Sequence, residues 1–319
     1  MSTLPVPASA SIPALGLDAV VERAAGLARQ ARAPNTLRAY ESDWREFERW
    51  CGVQGFGPIP APPAVVGLYL AAHERLSVAT LSRRVSSIAA RHRQAGHSLD
   101  TRHPAIADVL RGLRRERGSA QRRAEALTVS HLRQVVADLG DDLGDLRDRA
   151  LLLVGTAAAL RRSELVALDV ADIAVLPEGL RVTIRRSKTD SEGRGAMLAV
   201  GRTGRPTCPA AAYERWLAAA GIAEGAAFRA VDRHSRLGGR LSGNAVALIV
   251  QRRAAAAGLD PAAYSGHSLR SGFATSAARA GMGEFKIAAQ TRHASLAVLR
   301  RYVREGRLFE ENLAAEMGL

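Results

Sequence analysis

Four short segments in the second half of the 319-residue chain carry side chains that can bind a phosphate or move a proton. In chain order they are Ala159-Leu-Arg-Arg-Ser-Glu164, Arg186-Ser-Lys-Thr189, His267-Ser-Leu-Arg270, and Arg292-His293 with Tyr302 nine residues further on. Breaking a phosphodiester requires a nucleophile, a positive clamp on the nonbridging oxygens and an acid for the departing oxygen. The four segments together contain a candidate for each of these roles.

Arg161 and Arg270 are the candidate clamp, because a planar guanidinium directs two N–H groups at two phosphate oxygens and keeps its charge. Tyr302 is the candidate nucleophile. A phenol with a pKa of about 10 is mostly protonated at neutral pH, so it needs a base or a cationic surround, which His267 and His293 can supply. Taken singly, each of these residues is more often a surface charge or a packed side chain. Their occurrence together favours a site that breaks a phosphodiester.

Lysine is rare in this chain and therefore informative. Of the 45 Lys and Arg residues, only Lys188 and Lys286 are lysines. An ammonium can give up a proton whereas a guanidinium cannot, so a lysine retained among so many arginines is a candidate general acid. Lys188 follows a predicted strand, where the alternative to a chemical role is an ordinary exposed hairpin residue. Lys286 lies on a predicted helix and is interpreted as a surface residue.

In their order, the candidate residues resemble the catalytic set of the tyrosine recombinase, or phage integrase, family: Arg161, Lys188, His267, Arg270, His293 and Tyr302. The segment from Asn35 to Phe47 (NTLRAYESDWREF) is similar to the start of that family's helical core-binding domain. The resemblance implies that Lys188 is the general acid and that Glu164 is an acidic support residue, although Glu164 also fits a helix-terminal charge. It implies a 3′-phosphotyrosyl intermediate on Tyr302, formed without metal, ATP or another cofactor.

Two residues depart from the family pattern. Ala159 stands where the family usually has Gly before Leu-Arg, and Arg292 stands where it usually has Gly before His293. Neither change removes a reacting group, and Arg292 is a candidate for an added phosphate contact. Among the other four tyrosines, only Tyr264 is a rival nucleophile, because it lies close to His267.

The resemblance also implies the fold class. We expect a mainly α protein with an N-terminal SAM-like helical core-binding domain and a C-terminal, mostly helical catalytic domain that contains a small antiparallel β-sheet. Alternating β-branched residues predict strands at 180–185 and 197–200. Apolar periodicity and capping residues predict helices at 20–31, 35–50, 62–76, 78–94, 104–115, 128–139, 143–160, 163–168, 209–219, 242–257, 268–280, 284–289, 295–304 and 309–317.

A length near 300 residues favours two domains rather than one. We expect a flexible tail at 1–17, the helical domain at 18–117, a basic linker at 118–127 and the catalytic domain at 128–319. The linker is assigned where apolar periodicity is lost beside a Gly-Ser pair.

The chain is strongly basic, with a formal net charge of +14. More than half of this excess lies in residues 83–123, which contain eleven Arg and three acidic residues, a balance of +8. A belt of this kind suits a phosphate backbone, although a solvated helix face is the common alternative. The candidate DNA-binding residues are Arg83, Arg84, Arg91, Arg93, Arg114, Arg115, Arg122, Arg123 and Arg292.

The sequence also bears on the location of the protein, on disulfides and metal sites, and on its assembly. The longest apolar run, 150–160, is too short to cross a bilayer, and the N-terminus does not resemble a secretory signal, so we expect a cytoplasmic protein. The two cysteines are far apart, and no His, Cys, Asp or Glu residues have the spacing of metal ligands, so the sequence predicts neither disulfides nor a metal site.

Phe309, Leu313 and Met317 form an apolar stripe. The resemblance implies that a tail helix at 309–319 is exchanged between protomers of a tetramer on synapsed DNA; the alternative is docking on its own domain.

The predicted function is therefore site-specific recombination of duplex DNA by a simple two-domain enzyme of the Xer-like or Cre-like type. Two alternatives share the predicted fold. One is a type IB topoisomerase-like enzyme that nicks and reseals one strand at a time without partners. The other is a DNA-binding regulator that does not cleave.

Overall fold

The computed structural model describes residues 17–30, 34–117, 124–185, 195–293, 295–307 and 317. The chain divides into two compact units, Met1–Gln121 and Arg122–Leu319. Lys188, Arg122 and Arg123 lie outside the described residues, and so do nearly all of the expected N-terminal tail and of the tail helix expected at 309–317.

The described part of the N-terminal unit is helical, as its periodicity predicts. Its helices are α1 (Leu17–Gln30), α2 (Pro34–Gln54), α3 (Pro63–Ala72), α4 (Val78–Gln94) and α5 (Pro104–Arg117). Proline suits a first helical position because its missing N–H would have no partner there, and the hydroxyl of Ser77 caps α4 by accepting from the backbone N–H of Thr80. The core combines aliphatic side chains with a few aromatic rings, and Phe47 and Tyr69 pack edge to face with their ring centroids 5.0 Å apart.

The C-terminal unit contains helices that match the predicted ones within a few residues. They are α6 (Val129–Ala137), α7 (Leu143–Ala157), α8 (Arg162–Ala167), α9 (Pro209–Ala220), α10 (Gly243–Ala256), α11 (Ser268–Arg279), α12 (Glu284–Thr291) and α13 (Leu296–Gly306). Thr128 caps α6 as predicted, since its hydroxyl accepts from the backbone N–H of His131. The apolar run at 150–160 is explained by α7, which is buried from Ala150 to Thr156 and packs against α9 and α11.

Two small antiparallel sheets complete this unit. The first has the order β1-β2-β3, formed by Ile173–Leu176, Gly179–Ile184 and Ala196–Gly201. The second pairs β4 (Arg229–Val231) with β5 (Leu237–Arg240). The sequence predicts β2 and β3 but misses β1, β4 and β5. These strands have only three or four residues each, too few to show alternation, and β5 contains two glycines, which are depleted in strands.

Helix α11 is held close to the segment that precedes α6. The backbone N–H of Leu127 donates to the carbonyl of Ser268 at 3.0 Å. A Cβ on Gly272 would lie 1.9 Å from the carbonyl oxygen of Leu127, so only glycine permits this approach. The contact fixes the first turn of α11, which carries His267 and Arg270. No helix among the described residues is long and apolar enough to cross a membrane.

Candidate active site

A tight reversal between α7 and α8 positions Arg161. The chain turns through Ala158 and Ala159, and Ala159 takes a φ of +46°, a left-handed conformation that costs a residue with a side chain about 1–2 kcal/mol. Arg161 then becomes the N-cap residue of α8. Its backbone N–H donates to Glu164 Oε2 at 2.9 Å and its Nη1 donates to Glu164 Oε1 at 2.6 Å. Glu164 is therefore a helix-terminal charge and a support for Arg161 at the same time.

Arg270 lies on the first turn of α11 and reaches the same reversal. Its Nη1 donates to the carbonyl of Ala159 at 2.8 Å, and the side chain is only 2% exposed. Its buried Nη2 has no hydrogen-bond partner among the described residues. An unpaired buried donor is costly, and a phosphate oxygen would satisfy it.

Arg292 does not extend toward solvent as a DNA contact would. Its Nη2 donates to Glu164 Oε2 at 2.7 Å and its Nη1 to the carbonyls of Gln290 and Ala158 at 3.2 and 3.3 Å. Only 13% of the side chain is exposed. The expectation of an added phosphate contact is therefore replaced by an internal ion pair. Like Ala159, Arg292 has a positive φ, +53°, which is the conformation that the usual glycine would adopt without strain.

Tyr302 lies on α13, which packs on α11 through the buried residues Leu299 and Val303. Its hydroxyl is 3.0 Å from His267 Nε2. The ring of His293 is also close to the phenol, with the two ring centroids 5.9 Å apart. The structure thus brings together five of the six predicted catalytic residues; the sixth, Lys188, lies outside the described residues, beyond the end of β2.

The electrostatics of the site favour an anion. Arg161, Arg270 and Arg292 meet one carboxylate, Glu164, which leaves two positive charges in this group of side chains. Burial and the neighbouring Arg161 and Arg292 lower the pKa of Arg270 to about 10. Although burial acts to raise the pKa of Glu164, hydrogen bonds from Arg161 and the charge of Arg292 hold it below its usual value.

Both histidines are biased toward the neutral form. Burial, followed by the charges of Arg270 and Arg161, lowers the pKa of His267. The same causes lower the pKa of His293 to about 4. A neutral His267 hydrogen-bonded to the Tyr302 hydroxyl can accept the phenolic proton. A bound phosphate would offset the arginine charges and favour the imidazolium forms.

Tyr264, the rival nucleophile, is 4% exposed. Its hydroxyl lies 3.5 Å from Nδ1 of His131 on α6, and its ring packs edge to face against that histidine. These contacts assign Tyr264 to the core of the C-terminal unit. Among the residues that the structure describes, no three His, Cys, Asp or Glu side chains are grouped as metal ligands would be.

The predicted DNA-binding arginines of the N-terminal unit differ in their surroundings. Arg84 is largely buried, donates to the Tyr69 hydroxyl at 2.6 Å and lies 3.7 Å from Asp43, so it belongs to the core rather than to a binding surface. Arg83 is half exposed but makes a two-point ion pair with Asp43 at 2.8 and 3.0 Å. The remaining described candidates have exposed side chains: Arg91, Arg93, Arg114 and Arg115.

Sequence reasoning missed Thr291, which is fully buried and contacts His293 Nδ1 at 2.7 Å. It also missed Gln290, whose amide donates to the carbonyl of Ala157 at 3.0 Å and so ties the end of α12 to the end of α7. Both residues are uncharged and belong to none of the recognised motifs, so the sequence offered no signal for them.

The site combines buried guanidinium groups with a phenol that contacts an imidazole, an arrangement suited to attack by tyrosine on a phosphodiester. Residues 125–307 match the phage integrase family. The chain belongs to this family, the tyrosine recombinases, which cleave DNA and exchange its strands.

Individual relatives agree with this assignment. The chain is 37% identical over 297 residues to an integrase/recombinase xerD homolog of Selenomonas ruminantium, covering 90% of this chain and 86% of the relative. It is 26% identical to recombinase cre of Escherichia phage P1, covering 91% and 88%. It is 30% identical to tyrosine recombinase XerD of Xanthomonas axonopodis pv. citri, covering 90% and 92%.

Solved structures share the fold. A lambda integrase (75–356) dimer bound to a COC′ core site matches with a TM-score of 0.59 at 16% identity, covering 89% of this chain and 93% of that one. The XerH site-specific recombinase in a post-cleavage complex with palindromic difH substrate matches with a TM-score of 0.58 at 17% identity, covering 82% and 73%.

Proposed function

We propose that this chain is a site-specific recombinase that cleaves and rejoins duplex DNA through a covalent bond to Tyr302. The observation that carries the proposal is the 3.0 Å contact between the Tyr302 hydroxyl and His267 Nε2. The phenol is also close enough to Arg270 to influence the pKa of that guanidinium. A nucleophile, a base and a phosphate clamp therefore belong to one site within one chain.

In the proposed reaction the phosphate is held by Arg161 and Arg270, whose Nη2 supplies the unpaired donor. The phenolic oxygen attacks phosphorus as its proton passes to His267, and the O–P bond to the 5′ oxygen breaks. That oxygen takes a proton from a general acid, for which Lys188 is our proposal. A 5′-hydroxyl of another strand then attacks the phosphotyrosine and gives its proton to the deprotonated Lys188, while the departing Tyr302 oxygen takes back the proton held by His267. One phosphodiester is exchanged for another, so no external energy source is needed.

A nicked suicide DNA site tests the nucleophile. The short fragment that carries the freed 5′-hydroxyl diffuses away after cleavage, so a covalent protein–DNA adduct accumulates. We expect the adduct with the native chain and none with Tyr302→Phe, while both bind DNA equally. Tyr264→Phe is the matched control, because it removes a phenolic hydroxyl from a core position, and it should still form the adduct. An adduct that persists in Tyr302→Phe would reject the proposal.

The DNA-binding surface that we propose is the helical N-terminal unit together with the basic segment that follows it. Arg93, Arg114 and Arg115 support this proposal, because exposed guanidinium groups suit phosphate contacts. The segment with Arg122 and Arg123 would extend this surface as a linker.

Because the proposed substrate of the protein is DNA, we further propose that the protein acts in the cytoplasm.

We also propose that the chain works as a tetramer on two synapsed sites, with the tail helix at 309–319 passed to a neighbouring protomer. A cavity of about 520 Å³ in the C-terminal unit supports this assembly. It is lined by Leu132, Leu153 and Phe273 and bordered by Arg133 and Arg205. The tail carries an apolar stripe, which suits the apolar lining, and three glutamates, which suit the two arginines at the border.

Truncation before Phe309 tests the assembly. Sedimentation of the protein with DNA should show protomers bound to single sites but no synapsed tetramer. A full-length chain with Leu313→Ser and Met317→Ser is the matched control for tail length, and it should lose synapsis in the same way. Tetramer formation that survives both changes would reject tail exchange.

A further inference from the structure

Thr291, at the end of α12, makes two close contacts through one hydroxyl. Its Oγ1 is 2.6 Å from the carbonyl oxygen of Ile287, one helical turn earlier, and 2.7 Å from His293 Nδ1. The residue is fully buried, so no water competes for the hydroxyl. Threonine often bonds to a carbonyl one turn back in its helix, but here the same oxygen also meets a histidine of the site.

The positions of the heavy atoms determine where the hydrogens lie. Two oxygens 2.6 Å apart repel unless a hydrogen lies between them, and a carbonyl cannot supply one. The Thr291 hydroxyl therefore donates to Ile287 and presents a lone pair to His293. Its neighbour at 2.7 Å, Nδ1, must then be the donor of the second hydrogen bond. If Thr291 donated to Nδ1 instead, the contact with Ile287 would be left without a hydrogen.

We propose that Thr291 is a positioning residue that keeps neutral His293 protonated on Nδ1. The proposal rests on the function proposed above. In this tautomer Nε2 carries a lone pair, so His293 can accept a hydrogen bond through Nε2 when neutral and can donate to a phosphate oxygen only as the imidazolium. A histidine with the opposite tautomer would donate to the phosphate without taking up a proton.

The tautomer of His293 matters because of the charged groups around it. It shares the site with Arg161 at the start of α8, with His267 and Arg270 of α11, with Arg292 beside it, and with Tyr302 of α13. The arginines and His267 all disfavour a further positive charge before DNA binds. Arrival of the phosphate adds a negative charge, so we expect proton uptake by His293 to accompany engagement of the scissile phosphate.

Nitrogen-15 NMR of the histidine-labelled full chain without DNA tests the tautomer directly. The His293 signals are those absent from His293→Asn. Near neutral pH we expect a protonated Nδ1 and an unprotonated Nε2 in the native chain and in Thr291→Ser. In Thr291→Val, which has nearly the same shape but no hydroxyl, the hydrogen should move to Nε2, the nitrogen that free histidine prefers. A native chain protonated on Nε2, or an unchanged pattern in Thr291→Val, would overturn the proposal.

Cleavage of the suicide site gives a second readout. We expect Thr291→Val to form the adduct about tenfold more slowly, as the loss of one positioning hydrogen bond would produce, and Thr291→Ser to restore most of the rate. The rate with the native chain should fall as His293 loses its proton, and this fall should flatten in Thr291→Val. Equal pH profiles for the three proteins would overturn the proposal. If the native chain forms no adduct, the proposed function fails, whereas the NMR measurement still decides the tautomer.

Discussion

Replacing Arg292 separates two effects that the structure combines in one residue: the strain of a positive φ and the stabilisation from an ion pair. The guanidinium bonds to Glu164 and to backbone carbonyls. The backbone at +53° favours glycine. Arg292→Ala removes the contacts and keeps the strain, while Arg292→Gly removes both. Comparison of the two variants therefore measures the strain less the entropy that glycine adds to the unfolded chain.

The expected magnitudes follow from the contacts. The hydrogen bond to Glu164 joins two charged and mostly buried groups, and such a bond contributes about 1.5–3 kcal/mol. Glu164 retains its two bonds from Arg161, so its charge is not left unpaired. We expect Arg292→Ala to lower the free energy of unfolding by about 3 kcal/mol, once the weaker carbonyl contacts are included. Arg292→Gly should lose about 1 kcal/mol less, since glycine accepts the left-handed conformation.

Hydrogen exchange of the full chain measures these differences at the amides of α7, α8 and α12. A second assay is the salt dependence of DNA binding. A phosphate contact by Arg292 would lower the slope of log K against log salt by about 0.9 when removed. Because the guanidinium faces Glu164, we expect no change in that slope. An alanine variant more stable than the glycine variant would contradict the expected strain, and a slope reduced by about 0.9 would show that Arg292 contacts a phosphate.

Three other predictions concern the arginines of the N-terminal unit, the pH dependence due to His293, and the close approach at Gly272. Arg84→Ala should destabilise the N-terminal unit by about 2 kcal/mol, because it removes a buried bond to Tyr69, whereas Arg93→Ala should reduce the salt slope of DNA binding and leave urea unfolding unchanged. In the DNA-free chain, burial and neighbouring arginines lower the pKa of His293 from 6.5 to about 4, so the unfolded state binds more protons between these values. Stability should therefore be greatest above pH 6.5 and fall toward pH 4, and urea unfolding of His293→Asn should show a weaker fall. Gly272→Ala should cost about 3 kcal/mol in thermal unfolding, because its Cβ would strike a backbone carbonyl; a native melting temperature would contradict this.

Much of the helical fold was predictable because helix signals are local. Apolar spacing, the capping hydroxyls of Ser77 and Thr128, and prolines at first turns act within a few residues of where they occur. The short strands β1, β4 and β5 were missed for the complementary reason. They have only three or four residues each, too few to show a pattern, and they are held in extended form by pairing partners.

The residue types of Arg161, His267, Arg270, His293 and Tyr302 were enough to establish which reacting groups the chain possesses and in what order. Which of their atoms meet depends on how the chain folds. Folding turned Arg292 inward to Glu164, took Arg84 into a core and placed the Thr291 hydroxyl against His293 Nδ1. Side-chain direction and protonation depend on burial and on partners far away in the sequence, and no local pattern encodes them.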